Sequence, residues 1–379
     1  MMIDVYPDDK RQKLARKYAR ISRLLDLIQI VVIAILLLVL IFGGVSVQLS
    51  RYLNYPQPWA SAVYFMILLI AFGIITMPIS YYRGFVLPNR YGLSIETFQS
   101  WLIDKAKASI IGVVLGLIII ILAYWLLDYS PGTWWLWTSI FILVLSLLLA
   151  RIAPTLLLSL FYKLEPLRDP VLETKLMGLA ERAKTRVCGI FTMNLSSKSN
   201  TANAMLAGLG KTRRIILSDT LISEYSPEEI EVILAHELGH HVHRDIPKMI
   251  IVQVLTSLLA FYLTGLVLKI SVNPLGLDNI ANPAALPVLV LSLAVFSFIM
   301  MPMVNTFSRY LEKMADETSL ELSENPAAFI SAMTKLTDQN LSEAQPSRWI
   351  ELLFYDHPPY FKRVAVARSC VKQTDIGGV

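Results

Sequence analysis

The sequence predicts a predominantly α-helical, multi-pass membrane protein with about six transmembrane helices and a small α+β domain on the cytoplasmic side. Composition gives the first indication, because 55% of the 379 residues are hydrophobic and only 17% are charged. Soluble globular proteins carry about 25% charged residues. Six long apolar stretches supply the spans, and a short histidine-rich motif supplies a candidate metal site.

The six apolar stretches are each long enough to cross the roughly 30 Å hydrocarbon core of a bilayer. They lie near residues 27–45, 59–81, 108–127, 134–154, 249–268 and 285–304. The first stretch could be mistaken for a signal peptide, but it is too long and lacks a small-residue cleavage site. We therefore interpret it as a membrane anchor.

The distribution of basic residues predicts the orientation. Lys and Arg are concentrated between Lys10 and Arg23, before the first span, and again after the second span. The positive-inside rule then places both termini and the segments 155–248 and 305–379 in the cytoplasm. The net charge of +5 follows from this asymmetry, and without a basic–aromatic motif it does not indicate nucleic-acid binding. No carboxylate or histidine is predicted at mid-membrane, which disfavours metal transport.

These features divide the chain into four segments. Residues 1–162 form a membrane domain with four spans, 163–248 a largely soluble segment, 249–304 two further spans, and 305–379 a polar C-terminal segment. Within the soluble segment we predict a helix over 173–184 and strands over 187–193 and 214–217. A glycine-containing turn near residue 210 predicts that 203–207 pairs with 214–217 as a hairpin.

The run HELGH at positions 236–240 carries the candidate chemistry. On a helix, His236 and His240 project from one face and can bind one metal ion. Glu237 lies about 100° round the helix from His236, where it can take a proton from a water that the metal activates. Ser226 as N-cap, Pro227 at the first helical position and Glu229 closing a capping box predict the start of this helix.

A catalytic zinc site typically has three protein ligands, so one is missing from the run. Glu312 can supply it, because it follows the sixth span on a helix where Ala315 would permit close packing. Asp316 shares the face of Glu312 and can accept a hydrogen bond from the second ring nitrogen of a metal-binding histidine.

The combination of HELGH with Glu312-x-x-Ala315-Asp316 resembles the integral-membrane gluzincins, which include the type I CAAX prenyl endopeptidases and the heat-shock-type membrane metalloproteases. The resemblance continues through 197–221, through His357-Pro358-Pro359 with Arg363, and through 78–92, and covers most of 60–370. It implies a small α+β zinc-metalloprotease domain and one Zn²⁺ bound by His236, His240 and Glu312.

The resemblance also implies roles for single residues. Glu237 matches the general base and Asp316 the carboxylate behind the metal. His357 matches a histidine that stabilises the oxyanion, and Arg363 a neighbouring basic residue of the catalytic machinery. Asn203 and Ala204 match a segment that lines the substrate cleft, where an extended substrate could bind by strand addition.

The implied function is that of a membrane-embedded zinc endopeptidase acting on peptide or protein substrates, including C-terminal or membrane-associated segments, within a chamber enclosed by the spans. One alternative is a quality-control protease of the heat-shock type without prenyl specificity. Another is a non-catalytic membrane scaffold with a vestigial metal site. The eukaryotic prenyl endopeptidases are thought to have seven spans, and residues 375–379 carry no endoplasmic-reticulum retrieval signal. We therefore expect a homologue from a prokaryotic plasma membrane.

Overall fold

The computed structural model describes residues 6–152, 156–208 and 210–376. In chain order its helices are α1 (Asp9–Phe42), α2 (Val45–Arg51), α3 (Trp59–Tyr81), α4 (Leu87–Arg90), α5 (Phe98–Tyr129), α6 (Trp134–Ile152), α7 (Leu158–Phe161), α8 (Pro170–Arg182), α9 (Asp219–Glu224), α10 (Pro227–Val242), α11 (Asp245–Ser271), α12 (Leu286–Ser323), α13 (Pro326–Gln339), α14 (Arg348–Phe354) and α15 (Tyr360–Ile376).

Six helical segments of the described chain are long and apolar enough to cross a membrane, which confirms the predicted number of spans. They are α1, α3 continuing through a π-helical turn into α4, α5, α6, α11 and α12. The end of the predicted fourth span, residues 153–154, lies outside the described residues. The helices that extend furthest beyond their apolar stretches are α1, which begins at Asp9, and α12, which continues to Ser323. The sixth span and the segment that carries Glu312 are therefore one continuous helix.

The strands in the described residues form one mixed sheet with the order β1-β2-β4-β3. Its strands are β1 (Leu164–Pro166), β2 (Ile190–Met193), β3 (Ala204–Ala207) and β4 (Arg214–Ser218). β2 and β4 are parallel, whereas β1 and β3 run antiparallel to their neighbours. The predicted hairpin is confirmed, with Ala204 opposite Leu217 and Ala207 opposite Arg214. The strand order leaves β3 at an edge of the sheet.

The helices around the sheet share one apolar core. Residues from α8, β4, α10 and α13 meet there with almost no exposure, among them Leu176, Leu179, Ile215, Leu234 and Phe329. The predicted helix at 173–184 is α8, which packs against α10. This core fixes α10 between the sheet and the C-terminal helices.

Contacts place both ends of the described chain and the loop after the second span on the same side as the sheet. Arg11 of α1 donates hydrogen bonds from Nε and Nη2 to the carbonyl of Asp338, at 3.0 and 2.8 Å. Ser94, after the second span, forms an antiparallel bridge with Ser199. An even number of spans between these segments is required for such contacts, in agreement with the six-span topology.

Candidate metal centre and cleft

Helix α10 begins as the sequence predicts. Ser226 Oγ accepts the backbone N–H of Glu229, the Glu229 carboxylate accepts the N–H of Ser226 at 2.8 Å, and Pro227 is the first helical residue. Glu229 also accepts hydrogen bonds from Ser331 Oγ at 2.6 Å and Lys335 Nζ at 2.7 Å, both on α13. Burial raises the pKa of Glu229, but the bonds from Lys335 and Ser331 outweigh it, so the net shift is downward. The ionised carboxylate thus fixes the start of α10 against α13.

Two helices bring three candidate ligands together. α10 contributes His236 and His240, α12 contributes Glu312, and one donor atom of each lies within 4.8 Å of the others. His236 Nε2 and His240 Nε2 are each 3.3 Å from a Glu312 carboxylate oxygen. Glu312 Oε2 is buried and has no hydrogen-bond partner among the described residues. A buried carboxylate oxygen without a donor, facing two imidazoles, fits a bound metal ion.

The helices approach closely because small residues face each other. A Cβ atom on Gly239 would lie 3.0 Å from Cα of Ala315 and 3.2 Å from Cβ of Thr318. Ser319 Oγ donates a hydrogen bond to the carbonyl of Val232 at 2.7 Å, which ties the two helices further along. The close packing expected at Ala315 is present, and the bare Cα of Gly239 contributes to it from the opposite helix. Glu312 reaches the histidines because no side chain at 239 holds α12 away.

Each histidine of the pair is held by a buried carboxylate at its other ring nitrogen. His236 Nδ1 is 2.9 Å from Asp316 Oδ1, and His240 Nδ1 is 3.0 Å from Asp245 Oδ2. Asp245 is not among the residues predicted from the sequence. It is the first residue of α11, and Arg244 before it adopts the left-handed conformation with φ of 54°. The sequence feature that could have identified Asp245 is its position, five residues after His240 and at the start of a span.

Arg363 lies behind Asp316. Its Nε and Nη2 donate hydrogen bonds to the Asp316 carboxylate at 2.9 and 2.5 Å, and Nη2 is 3.3 Å from His236 Nδ1. Burial and the Arg363 guanidinium lower the pKa of His236, but its interactions with the Asp316 and Glu312 carboxylates outweigh them and raise the pKa to about 9. The surroundings of the histidine pair therefore favour positive charge.

His357 reaches the same cluster from the loop between α14 and α15. Its Nε2 is 3.3 Å from Glu312 Oε1, its Nδ1 is 2.8 Å from Asp356 Oδ1, and its side chain is 56% exposed. The hydrogen bond with Asp356 raises the pKa of His357 against a lowering by burial, and the charge of Glu312 adds to the rise. A hydrogen-bond donor on the His357 ring therefore faces both the His236–His240–Glu312 cluster and the open space beside it.

Glu237 lies where two cavities meet. One, of about 410 Å³, also contacts Asn203, Ala204 and His357, and we call it the loop-side cavity. The other, of about 650 Å³, is bordered by Leu206, by Glu312 and by residues of α6 and α11, and we call it the membrane-side cavity. A chain lying across both cavities would pass Glu237 and the histidine pair.

The edge strand β3 connects the two cavities. Asn203 is paired with β4, because its N–H donates to Ser218 Oγ at 3.0 Å and its carbonyl accepts the Ser218 N–H at 2.9 Å. Main-chain groups alternate in direction along an antiparallel strand, so those of Ala204 and Leu206 point away from β4. Ala204 borders the loop-side cavity and Leu206 the membrane-side cavity. The predicted site residues are thus brought together around one cleft, except that Asp316 is buried behind His236 and borders neither cavity.

The fold and this site define a class of protein, the membrane-embedded metallopeptidases in which an H-E-x-x-H helix and a glutamate from a second helix face one another. Comparison with known families agrees. Residues 166–371 match the family model of peptidase family M48, and residues 3–163 match that of the CAAX prenyl protease N-terminal region, described as five membrane helices. The described part of that N-terminal range contains four of the candidate spans. The chain belongs to peptidase family M48 and is a membrane metalloprotease of the CAAX prenyl protease type, a hydrolase that acts on peptide bonds.

Individual relatives extend the match over nearly the whole chain. The uncharacterized metalloprotease YhfN of Bacillus subtilis is 28% identical over 362 residues, covering 94% of this chain and 85% of its own. A CAAX prenyl protease 1 homolog of Arabidopsis thaliana is 30% identical over 311 residues, covering 80% and 72%. The crystal structure of S. mikatae Ste24p has a TM-score of 0.84 at 24% identity, covering 97% of this chain and 91% of that one, which shows a shared fold.

Proposed function

We propose that this metalloprotease is a zinc-dependent endopeptidase that binds one Zn²⁺ per chain through His236, His240 and Glu312. The observation that carries the proposal is the convergence of these donors, from two helices distant in sequence, at the meeting point of two cavities. Two imidazoles and one carboxylate, with a position left for water or substrate, form a donor set found in catalytic zinc sites. Such nitrogen and carboxylate ligation favours zinc over harder ions.

The roles of the surrounding residues follow from their positions. Bound zinc would lower the pKa of a water molecule and polarise the scissile carbonyl. Glu237 would accept the proton of the attacking water and pass it to the leaving amine. His357 would donate a hydrogen bond to the substrate oxygen as it becomes negatively charged.

The residues behind the histidines would set their orientation. Asp316 and Asp245 each bond a ring Nδ1, which leaves Nε2 of His236 and His240 directed at Glu312. Such partners fix the tautomer and the ring direction of a metal ligand. The sequence suggests a catalytic role for Arg363, but its contacts with Asp316 support a positioning role.

We propose that substrates bind in extended form along β3. The outward main-chain groups of Ala204 and Leu206 would form the hydrogen bonds of an added strand. A substrate running antiparallel to β3 would place its residues before the scissile bond in the membrane-side cavity and its residues after that bond in the loop-side cavity. Asn203 would then lie beside the C-terminal end of the bound substrate segment. The membrane-side cavity borders α6 and α11, so peptides or proteins attached to the bilayer through their N-terminal side fit this arrangement.

We further propose that the site faces the cytoplasm of a prokaryote. The basic residues between Lys10 and Arg23 belong to the α1 segment that contacts Asp338, on the same side as the sheet and the metal centre. The positive-inside rule assigns that side to the cytoplasm. The match with the Bacillus subtilis relative over 94% of the chain supports a prokaryotic source.

A comparison of three substrates tests the function. Purified protein in lipid nanodiscs receives a farnesylated C-terminal peptide, its unprenylated twin and an unfolded membrane protein, with Glu237→Gln as the inactive control. We expect one zinc per chain in both proteins and zinc-dependent cleavage only with Glu237 present. Preference for the farnesylated peptide would support a CAAX-type activity, whereas equal cleavage of the twins would exclude prenyl dependence. Full activity of a zinc-loaded Glu237→Gln protein would contradict the proposed mechanism.

A further inference from the structure

The short helix α14 exposes large apolar side chains to its surroundings and covers its one carboxylate. Trp349 is 73% exposed, whereas the Glu351 side chain, on the opposite face, is only 12% exposed. Glu351 accepts a hydrogen bond from Lys362 Nζ at 2.6 Å and faces Arg309. In water a helix normally buries its apolar stripe and exposes its charges. α14 instead exposes Trp349 and Phe354 beside the exposed Arg348 and covers Glu351, as a helix in contact with lipid headgroups would.

The contacts of α14 with α12 fix its depth. Asn305 Nδ2 donates to the carbonyl of Leu353 at 2.7 Å, and Arg309 Nη1 donates to the carbonyls of Glu351 and Tyr355. Asn305 and Arg309 follow the end of the sixth apolar stretch, at Val304, by about 1.5 and 7.5 Å along the helix axis. The headgroup layer on each side of a bilayer is roughly 5–7 Å thick. α14 therefore packs on α12 at headgroup depth.

We propose that α14 is an interfacial helix whose outer face, the exposed Trp349 with the half-buried Leu352 and Leu353 beside it, enters the headgroup layer of the surrounding bilayer. The exposed surface of α12 is continuous with this position, since Phe298, two helical turns before Asn305 on the same face, is 56% exposed on the span itself. Tryptophan is the residue type enriched at this depth, because its ring is apolar and its N–H is polar. Interfacial helices of this kind bury their apolar face several ångströms into the membrane surface.

This contact has a consequence for the metal centre. The chain passes from α14 through Tyr355, whose carbonyl Arg309 holds, to His357 beside Glu312. Arg309 and Glu312 are three residues apart and so share one face of α12. Lipid contact at α14 would therefore hold the His357 loop over Glu312, and loss of that contact would loosen it.

Lipid quenching tests the contact without reference to proteolysis. A bimane label is placed on Trp349→Cys, in a background with Cys188→Ser and Cys370→Ser, in nanodiscs of phosphatidylcholine brominated near the headgroup end of its acyl chains. Tyr262→Cys on span α11 is the positive control, and Val171→Cys on α8, 79% exposed, is the negative control. We expect quenching at 349 within about twofold of that at 262 and none at 171.

Quenching at 349 as weak as at 171 would overturn the proposal. A label shielded from both lipid bromine and aqueous iodide would instead identify a second copy or a protein partner as the occupant, and would equally overturn it. Leu353→Cys, on the same face, repeats the measurement if the Trp349 variant does not yield folded protein.

A kinetic comparison tests whether α14 holds the His357 loop. Trp349→Ala should lower kcat about tenfold at unchanged zinc content, which is less than the full loss of an oxyanion donor. Trp137→Ala on α6, 52% exposed, should leave kcat unchanged.

Discussion

Replacing Gly239 by alanine tests whether the close approach of α10 and α12 assembles the metal centre. The new Cβ would lie 3.0 and 3.1 Å from Cα and O of Ala315, so α12 would have to retreat by a few tenths of an ångström. Metal–ligand distances tolerate only about 0.2 Å. Because Glu312 is one turn from Ala315 on the same helix, the retreat would move the third ligand out of range.

The expected magnitudes separate metal binding from folding. Overpacking costs about 1–3 kcal/mol, but alanine in a helix interior regains about 0.5–1 kcal/mol relative to glycine. The free energy of unfolding should therefore fall by no more than about 2.5 kcal/mol. Zinc affinity should fall more, by about 10–100-fold, as it does when the partners of metal ligands are disturbed.

The assay is competition for zinc against a chelator of known affinity, with the thermal midpoint of the metal-free protein measured in parallel. Gly178→Ala on α8 is the matched control, because a Cβ there meets no atom within 4 Å. It should raise stability slightly and leave zinc affinity unchanged. A Gly239→Ala protein that binds zinc as tightly as the parent would show that the close approach at Gly239 does not assemble the metal centre.

Three further predictions concern other parts of the site. Asp245→Asn should lower zinc affinity about 10–100-fold without preventing folding, which chelator competition measures, and unchanged affinity would remove Asp245 from the site. Glu229→Gln should destabilise the protein by about 1 kcal/mol at neutral pH, because it weakens charge-assisted bonds from Lys335 and Ser331. The pKa of Glu229 is lowered in the folded state, so this stabilisation is present at neutral pH and lost as pH falls through the folded-state pKa. The denaturation midpoints of parent and variant should therefore converge in acid, and a constant gap would contradict the assignment. Leu206→Pro removes an outward N–H of the edge strand and should raise KM about tenfold at similar thermal stability. An unchanged KM would argue against strand addition.

Much of this site could be predicted because the residues that define it lie close together in the sequence. The spacing of His236 and His240 depends only on helical geometry, and the capping residues Ser226 and Glu229 lie three positions apart. Glu312 could be predicted despite its distance in sequence, because a zinc site with two histidines requires a third ligand and Glu312 lies on the helix that follows the sixth span. The spans were predictable for a similar reason, since their length is set by the bilayer.

What could not be predicted depends on tertiary contacts. The role of Asp245 requires the left-handed turn at Arg244, which folds the start of α11 back against His240. The steric importance of Gly239 appears only when Ala315 lies opposite. The exposed and covered sides of α14 likewise cannot be assigned from its seven residues, because they are defined only by packing on α12, where Arg309 binds the carbonyl of Glu351.

In the proposed metal centre, two helices distant in sequence, α10 and α12, jointly bind a single zinc ion. Anomalous X-ray diffraction on either side of the zinc absorption edge, from crystals of the purified protein, tests it most directly. We expect one strong peak per chain, within bonding distance of His236 Nε2, His240 Nε2 and the Glu312 carboxylate. A zinc peak next to other residues, or no peak from protein that binds one zinc per chain in solution, would contradict this arrangement.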